Sequence, residues 1–97
     1  MRVLNSDELF CMEVINLCDG ARLGCPTSLE VDVENGCVTA LLLPKDAKLF
    51  GFHGKDMYRI PWKCLQCVGE DTILVKMTVA ELTACICKPH SGRKKFF

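Results

Sequence analysis

Two pairs of closely spaced cysteines are the residues of this chain best suited to chemistry. Cys64 and Cys67 form a CxxC motif, and Cys85 and Cys87 supply two more thiols further along the chain. Four thiolates suit a tetrahedral zinc ion. The second pair is spaced CxC, however, and no glycine follows Cys67 to turn the chain around a metal. We therefore expect all eight cysteines to be reduced and free of stoichiometric metal. A zinc site at these four cysteines is the alternative.

Catalysis by these thiols is not favoured by the sequence around them. A thioredoxin-type CxxC begins a helix in a β-α-β unit, and no such unit surrounds Cys64. A catalytic Cys–His pair needs a thiol within hydrogen-bond reach of an imidazole. The two histidines, His53 in a glycine-flanked loop and His90 in the tail, fall in segments expected to be solvated. No phosphate-binding glycine loop joins a strand to a long helix. We predict that the protein is not an enzyme and binds no cofactor.

The first residues predict the cellular compartment. Residues 1–8 contain no apolar run and include the acidic Asp7 and Glu8, which differs from a secretion signal. Every apolar segment is shorter than the roughly 20 residues that a membrane-spanning helix needs. We expect a cytoplasmic chain without membrane insertion, in a compartment where thiols are kept reduced.

Charge is unevenly distributed along a chain whose formal net charge is zero. Residues 1–44 contain two basic and seven acidic side chains, whereas residues 82–97 contain four basic side chains and no acidic one. An acidic body argues against a surface that coats nucleic acid. We expect the basic tail to be a solvated terminus, so nucleic acid is an unlikely partner.

The firmest local prediction is a β-hairpin. Residues 29–34 alternate strictly between apolar and charged side chains, as in a strand with one buried face. Asn35 and Gly36 follow, a pair typical of a two-residue hairpin turn because both residues tolerate positive φ. Residues 37–43 form the return strand, ended by Pro44. Residues 13–17, 57–61 and 72–77 are the other predicted strands.

Two short helical segments are expected among these strands. Trp62, Leu65 and Val68 are three residues apart, which predicts a helical turn packed on the sheet. Thr78 and Glu81 have the spacing of a capping box that opens a helix through about Cys85. Short strands at this spacing predict a mainly β fold, a small antiparallel barrel with a short helical turn and a C-terminal helix. The predicted core is Val31, Val33, Leu41, Leu43, Ile60, Trp62, Leu65, Ile73 and Val75.

An ordered set of short motifs between residues 9 and 76 carries a resemblance to a known family. The motifs are Glu13-Val14-Ile15-Asn16-Leu17, Asp19-Gly20, Arg22-Leu23-Gly24, Leu29-Glu30-Val31-Asp32, Phe50-Gly51-Phe52-His53-Gly54, Ile60-Pro61-Trp62 and Ile73-Leu74-Val75. Their order resembles the PRC-barrel superfamily, and within it the small sporulation-associated branch of the YlmC/YmxH type. The segment after about Met77 departs from that pattern, which implies a PRC-barrel-like domain over residues 1–77 and a C-terminal extension over residues 78–97.

The resemblance implies an adaptor and not a catalyst. Members of the superfamily are interaction modules, which points to protein–protein interaction linked to sporulation. Phe50 and Phe52 flank a glycine in a surface loop, where they form either a docking patch or a lid over the barrel end. Arg59 is the expected polar contributor. The partner is an unidentified protein, and a homodimer is possible. A metal- or thiol-binding protein that uses the four cysteines is the alternative function, whereas a ribosome-assembly factor like RimM would need a separate N-terminal domain.

Overall fold

A computed structural model describes residues 2–45 and 56–87 of the chain. Short strands are the main regular secondary structure of the described residues. The elements in chain order are α1 (Ser6–Leu9), β1 (Glu13–Asn16), β2 (Arg22–Gly24), β3 (Ser28–Asp32), β4 (Cys37–Pro44), β5 (Met57–Pro61), a 3₁₀ turn (Trp62–Cys64), β6 (Leu65–Val68), β7 (Thr72–Val75), α2 (Val79–Ala84) and β8 (Ile86–Cys87).

These strands form two four-stranded sheets. Sheet A has the order β2-β1-β7-β6 and sheet B the order β3-β4-β5-β8. The mainly β prediction is therefore confirmed at the level of fold class. Within sheet A, β1 and β7 pair in parallel, so the expectation of an antiparallel fold fails there. A parallel pair needs a long connection between its strands, and residues 17–71 supply it. No closed barrel is found among residues 2–45 and 56–87.

One hydrophobic core lies between the two sheets. Sheet A contributes Val14, Ile73 and Val75, each fully buried. Sheet B contributes its own fully buried side chains, Leu41, Leu43 and Ile60, so five of the nine residues predicted for the core are confirmed. Trp62 and Leu65 also pack against the core but stay partly exposed.

Val31 and Val33 are the wrong members of the predicted core, at 49% and 85% exposed. The pairing of β3 with β4 shifts register between Glu30 and Val31. A register shift interrupts the alternation of faces on which the prediction depended. Strand β3 then ends at Asp32, which leaves Val33 in the loop.

The predicted hairpin is confirmed, but its turn is not the two-residue type. Asp32 pairs with Cys37, so residues 33–36 form the loop. Gly36 has a φ of 70°, whereas Asn35 does not reach positive φ, which excludes the turn that needs both residues there. The Asp32 carboxylate instead accepts hydrogen bonds from the backbone N–H groups of Glu34 and Asn35, at 3.0 and 3.2 Å. These hydrogen bonds to Asp32 favour the longer loop. They also hold the pKa of Asp32 below its usual value, chiefly through the Asn35 side-chain amide.

The predicted helical segments are partly confirmed. Helix α2 begins at the expected capping box, because the Thr78 side chain accepts a hydrogen bond from Glu81 N and the Glu81 carboxylate accepts one from Thr78 N. The 3₁₀ turn contains Trp62, but Leu65 and Val68 lie in β6, so spacing by three did not mean one helix. The C-terminal extension expected at residues 78–97 starts with α2, and β8 then pairs with β5 at the edge of sheet B.

Candidate functional site

A cleft forms where the C-terminal segment returns to sheet B. The capping box at Thr78 starts α2, whose last turn ends at Cys85. Strand β8 then pairs with β5, with Cys87 opposite Met57 and Ile86 opposite Tyr58. The space enclosed by β5, the 3₁₀ turn, α2 and β8 has a volume of about 380 Å³. We call it the thiol cleft; its reactive and charged lining residues are Arg59, Lys63, Cys64, Glu81, Cys85 and Cys87.

Cys85 is the best-defined thiol of this cleft. Its Sγ donates a hydrogen bond to the backbone oxygen of Leu82 at 3.0 Å. Partial burial raises the pKa of this thiol, and the neighbouring Cys87 and Cys64 raise it further. The electrostatic interaction of two charged groups weakens with the distance between them, and all three sulfurs line the same cleft. Cys85 is therefore held as a neutral thiol at physiological pH.

The CxxC motif is divided by the fold. Cys64 ends the 3₁₀ turn, lines the thiol cleft and packs against the core. Cys67 lies on β6, is exposed, and does not line the cleft. Three of the four cysteines predicted for an alternative zinc site thus share one cleft, and the fourth faces elsewhere. Among residues 2–45 and 56–87, no group of three or more His, Cys, Asp or Glu side chains is arranged to hold a metal ion.

Arg59 forms one wall of the thiol cleft. Its guanidinium makes a two-pronged ion pair with Glu30 across the solvent face of sheet B, through Nε and Nη2. Thr39 Oγ1 donates to the same carboxylate at 2.7 Å. The hydrogen bond to Glu30 is the main reason that the pKa of Arg59 is raised, with smaller contributions from Cys87 and Cys85. The other two predicted contact residues, Phe50 and Phe52, lie outside the described residues.

A second cleft, which the sequence analysis missed, lies beside α1. Its volume is about 600 Å³ and its lining includes Arg2, Asp7, Glu8, Cys11 and Glu70. We call it the acidic cleft. Helix α1 starts at a capping box in which the Asn5 side chain accepts from Glu8 N and Glu8 accepts from Asn5 N. That Asn-x-x-Glu spacing is the sequence signal that predicts the helix.

Asn16 connects sheet A to the thiol cleft. It is fully buried and is the one buried polar residue of the described chain. Its Nδ2 donates to Met77 O at 2.9 Å, and its Oδ1 accepts from Met77 N at 3.0 Å. Met77 lines the thiol cleft, so this amide fixes the segment between β7 and α2. Nothing in the sequence pattern distinguished Asn16 from a surface residue of a strand.

No helix of the described residues is long and apolar enough to cross a membrane. All eight cysteines carry free thiols, and five of them, Cys11, Cys18, Cys25, Cys37 and Cys67, are exposed.

Comparison with known proteins identifies the family. No protein-family model matches the chain. The chain is 31% identical over 77 residues to the probable sporulation protein YlmC of Bacillus subtilis, an alignment that covers 78% of this chain and 95% of the relative. It is 38% identical over 72 residues to the uncharacterized protein YmxH of the same species, covering 70% and 82% of the two chains. An uncharacterized protein of Clostridium acetobutylicum is 37% identical over 65 residues, covering 66% of this chain and 74% of that one. The chain therefore belongs to the sporulation-associated family that includes YlmC and YmxH.

Proposed function

We propose that the chain is a non-enzymatic protein–protein interaction module that acts in the cytoplasm during spore formation. The observation that carries this proposal is its similarity to YlmC over 95% of that protein, which is named as a probable sporulation protein. The described fold supports the proposal, since it offers a small β scaffold. The partner is a protein, either another component of spore development or a second copy of this chain.

The scaffold that we propose is a PRC-type barrel over residues 1–77, followed by an extension over residues 78–97. Two four-stranded sheets around one core support this assignment. Nuclear Overhauser contacts between an edge strand of sheet A and an edge strand of sheet B would establish closure. Backbone amides that exchange rapidly along all four edge strands would show an open sandwich and contradict the barrel.

The contact surface that we propose consists of Phe50, Phe52 and Arg59. Arg59 is suited to this role because Glu30 and Thr39 fix the orientation of its guanidinium on the solvent face of sheet B. A fixed arginine loses little side-chain entropy when a partner binds, and arginine and aromatic residues are enriched among the residues that dominate binding energy.

Photo-crosslinking in living cells tests this surface. A photoreactive amino acid is placed at position 52, with position 83 on exposed α2 as the matched control. We expect a covalent adduct of defined mass from position 52 in sporulating cells, absent in vegetative cells and lost on Phe50→Ser or Arg59→Ala. The mass of the adduct distinguishes a homodimer from another partner. Equal adducts from positions 52 and 83, or none from position 52, would contradict the proposal.

The alternative function, a metal- or thiol-binding protein, is favoured by one observation. Cys64, Cys85 and Cys87 line the same cleft although 21 positions separate the first from the second. Elemental analysis and thiol titration of protein purified under anaerobic conditions test it. We expect eight free thiols and no stoichiometric zinc. One zinc per chain, lost on replacing Cys64 and Cys67 by serine, would favour this alternative.

A further inference from the structure

The thiol cleft combines a cavity of small-molecule size with sulfur and positive charge. Its volume of about 380 Å³ falls within the roughly 300–1,000 Å³ of typical small-ligand sites. Two of its lining side chains, Arg59 and Lys63, are basic. The carboxylate of Glu81 also lines the cleft but accepts the backbone N–H of Thr78 at 2.7 Å. The cleft is therefore suited to a small ligand that carries both negative charge and a group that reacts with a thiol.

The three sulfurs of the cleft differ in what they can do. Cys85 donates its S–H to Leu82 O at 3.0 Å, and burial raises its pKa, so it is a poor nucleophile at neutral pH. Cys64 packs against the hydrophobic core. Cys87 is half-buried at the end of β8 and does not pack against the hydrophobic core. Cys87 is therefore the sulfur best placed to react.

The backbone register places Cys87 diagonally across from Arg59. Cys87 pairs with Met57, and Arg59 N donates to Cys85 O at 2.9 Å. Because side chains two residues apart share one face of a strand, Cys87 and Arg59 lie on the same face of sheet B. Consistent with this, Cys87 contributes to the raised pKa of Arg59, after the larger effects of the Glu30 hydrogen bond and the Glu30 charge, while burial acts in the opposite direction.

We propose that Cys87 is a site of reversible thiolation by small anionic disulfides, whose carboxylates Lys63 and Arg59 attract into the thiol cleft. The Cys87 thiolate attacks one sulfur of the disulfide R–S–S–R. A bond forms between Cys87 Sγ and that sulfur while the R–S–S–R bond breaks, and the second half leaves as R–S⁻, which takes a proton from water. Cys87 is oxidised and the leaving sulfur is reduced, so the disulfide itself is the oxidant.

The adduct on Cys87 persists at neutral pH. Its removal within the molecule would require a second thiolate in the cleft, and Cys85, the neighbour with a defined geometry, is held as a thiol by burial. Conversion to a disulfide with Cys85 is therefore slow until the pH rises. This proposal shares Arg59 with the proposed docking surface but requires no protein partner, and it narrows the alternative function to one cysteine and one class of ligand.

Competition between two thiols of one chain tests the proposal. The reduced full-length protein is treated at neutral pH with oxidised glutathione, an anionic disulfide, and separately with the neutral 2-hydroxyethyl disulfide. Peptide mapping then gives the modification rate at each cysteine. Cys11 is the matched control, since it lies in a cleft with three acidic side chains and one basic. We expect the Cys87-to-Cys11 rate ratio to be several-fold higher with the anionic reagent.

Three variants separate the steps of this proposal. Lys63→Gln should lower the Cys87-to-Cys11 rate ratio for the anionic reagent towards the ratio for the neutral one, because it removes a positive charge from the cleft. Lys63 is exposed, so its replacement leaves the fold intact. Cys87→Ser should abolish the cleft adduct, and Cys85→Ser should leave it unchanged. A ratio that is equal for both reagents would overturn the proposal. So would preferential thiolation of the exposed Cys67 by the anionic reagent, or loss of the adduct mass as a protein disulfide forms at neutral pH.

Discussion

The thiol cleft and the acidic cleft each contain cysteine, but the charges around the sulfur are opposite. The thiol cleft is lined by two basic side chains and one acidic one, whereas the acidic cleft is lined by one basic and three acidic ones. Each is bounded by a short helix with a capping box, α2 in one and α1 in the other. The two clefts therefore present the same reactive atom in two electrostatic settings within one chain.

This comparison shows why the spacing of cysteines was a poor guide to their chemistry. Cys64 and Cys67 are only three positions apart, yet only Cys64 reaches the cleft, because the chain passes from a 3₁₀ turn into a strand between them. Cys87 reaches Cys85 and Cys64 because β8 pairs with β5. The reactivity of a thiol depends on the charges and burial that the fold brings to it.

The largest expected effect on stability compares Asn16, which fixes Met77 beside the thiol cleft, with Asn5, which caps α1 beside the acidic cleft. Asn16→Ala should lower the free energy of unfolding by about 3 kcal/mol, because the buried N–H and C=O of Met77 lose their partners. Chemical denaturation measures this effect. The control is Asn5→Ala, which removes the exposed cap of α1 and should cost about 1 kcal/mol. Equal losses would show that the buried amide is not a special support of the thiol cleft.

The next effect concerns Trp62, which precedes the cleft residues Lys63 and Cys64. A fully buried tryptophan would cost about 3–5 kcal/mol on replacement by alanine, and that was the expectation from sequence. Trp62 packs against the core but remains partly exposed, so Trp62→Ala should cost about 2 kcal/mol. Thermal melting checks this value. Val33→Ala, at a residue 85% exposed, is the control and should change stability by less than about 0.5 kcal/mol.

Sequence reasoning recovered the elements whose signals are local. The capping box at Thr78, the hairpin that Gly36 closes and strand β5 all depend on neighbouring residues. The parallel pairing of β1 with β7 and the role of Asn16 depend on residues about 60 positions apart, and no local pattern encodes such a pairing. The same holds for the thiol cleft, since the approach of β8 to β5 determines which cysteines meet. The acidic cleft was missed for a different reason, because the local signal at Asn5 was present but unused.

A smaller effect is a decrease in stability at alkaline pH that originates in the thiol cleft. Burial raises the pKa of Cys85 and of Tyr58 above their ordinary values of 9.0 and 10.0. The unfolded chain therefore releases these protons at lower pH than the folded chain, so their stabilisation is complete below about pH 8.5 and is lost as pH rises through the folded-state values. Melting temperatures across this range measure the decrease. Cys85→Ser should make it shallower, whereas Cys11→Ser should not; an equal slope in both variants would contradict this origin.

The smallest expected effect is the coupling energy of the Arg59–Glu30 ion pair, which determines how strongly the Arg59 charge can attract an anion into the thiol cleft. Arg59 pairs with Glu30, and Arg22 pairs with Glu13 on sheet A, outside both clefts. The Arg22 side chain is 73% exposed and the Arg59 side chain 41%, so water should screen the first pair more strongly. Double-mutant cycles should give a coupling of about 0.5–1 kcal/mol for Arg59–Glu30 and a smaller coupling for Arg22–Glu13, both decreasing with salt.

The Arg59–Glu30 pair also competes with any anion in the cleft. Glu30→Gln removes the negative partner and leaves the guanidinium in place, so thiolation of Cys87 by oxidised glutathione should become modestly faster, while the rate with the neutral disulfide should not change. Glu13→Gln is the matched control, because it releases the guanidinium of Arg22, which lies on sheet A and does not line the cleft. A strong coupling together with no acceleration in Glu30→Gln would assign the attraction of anions to Lys63 and reduce Arg59 to a structural residue of sheet B.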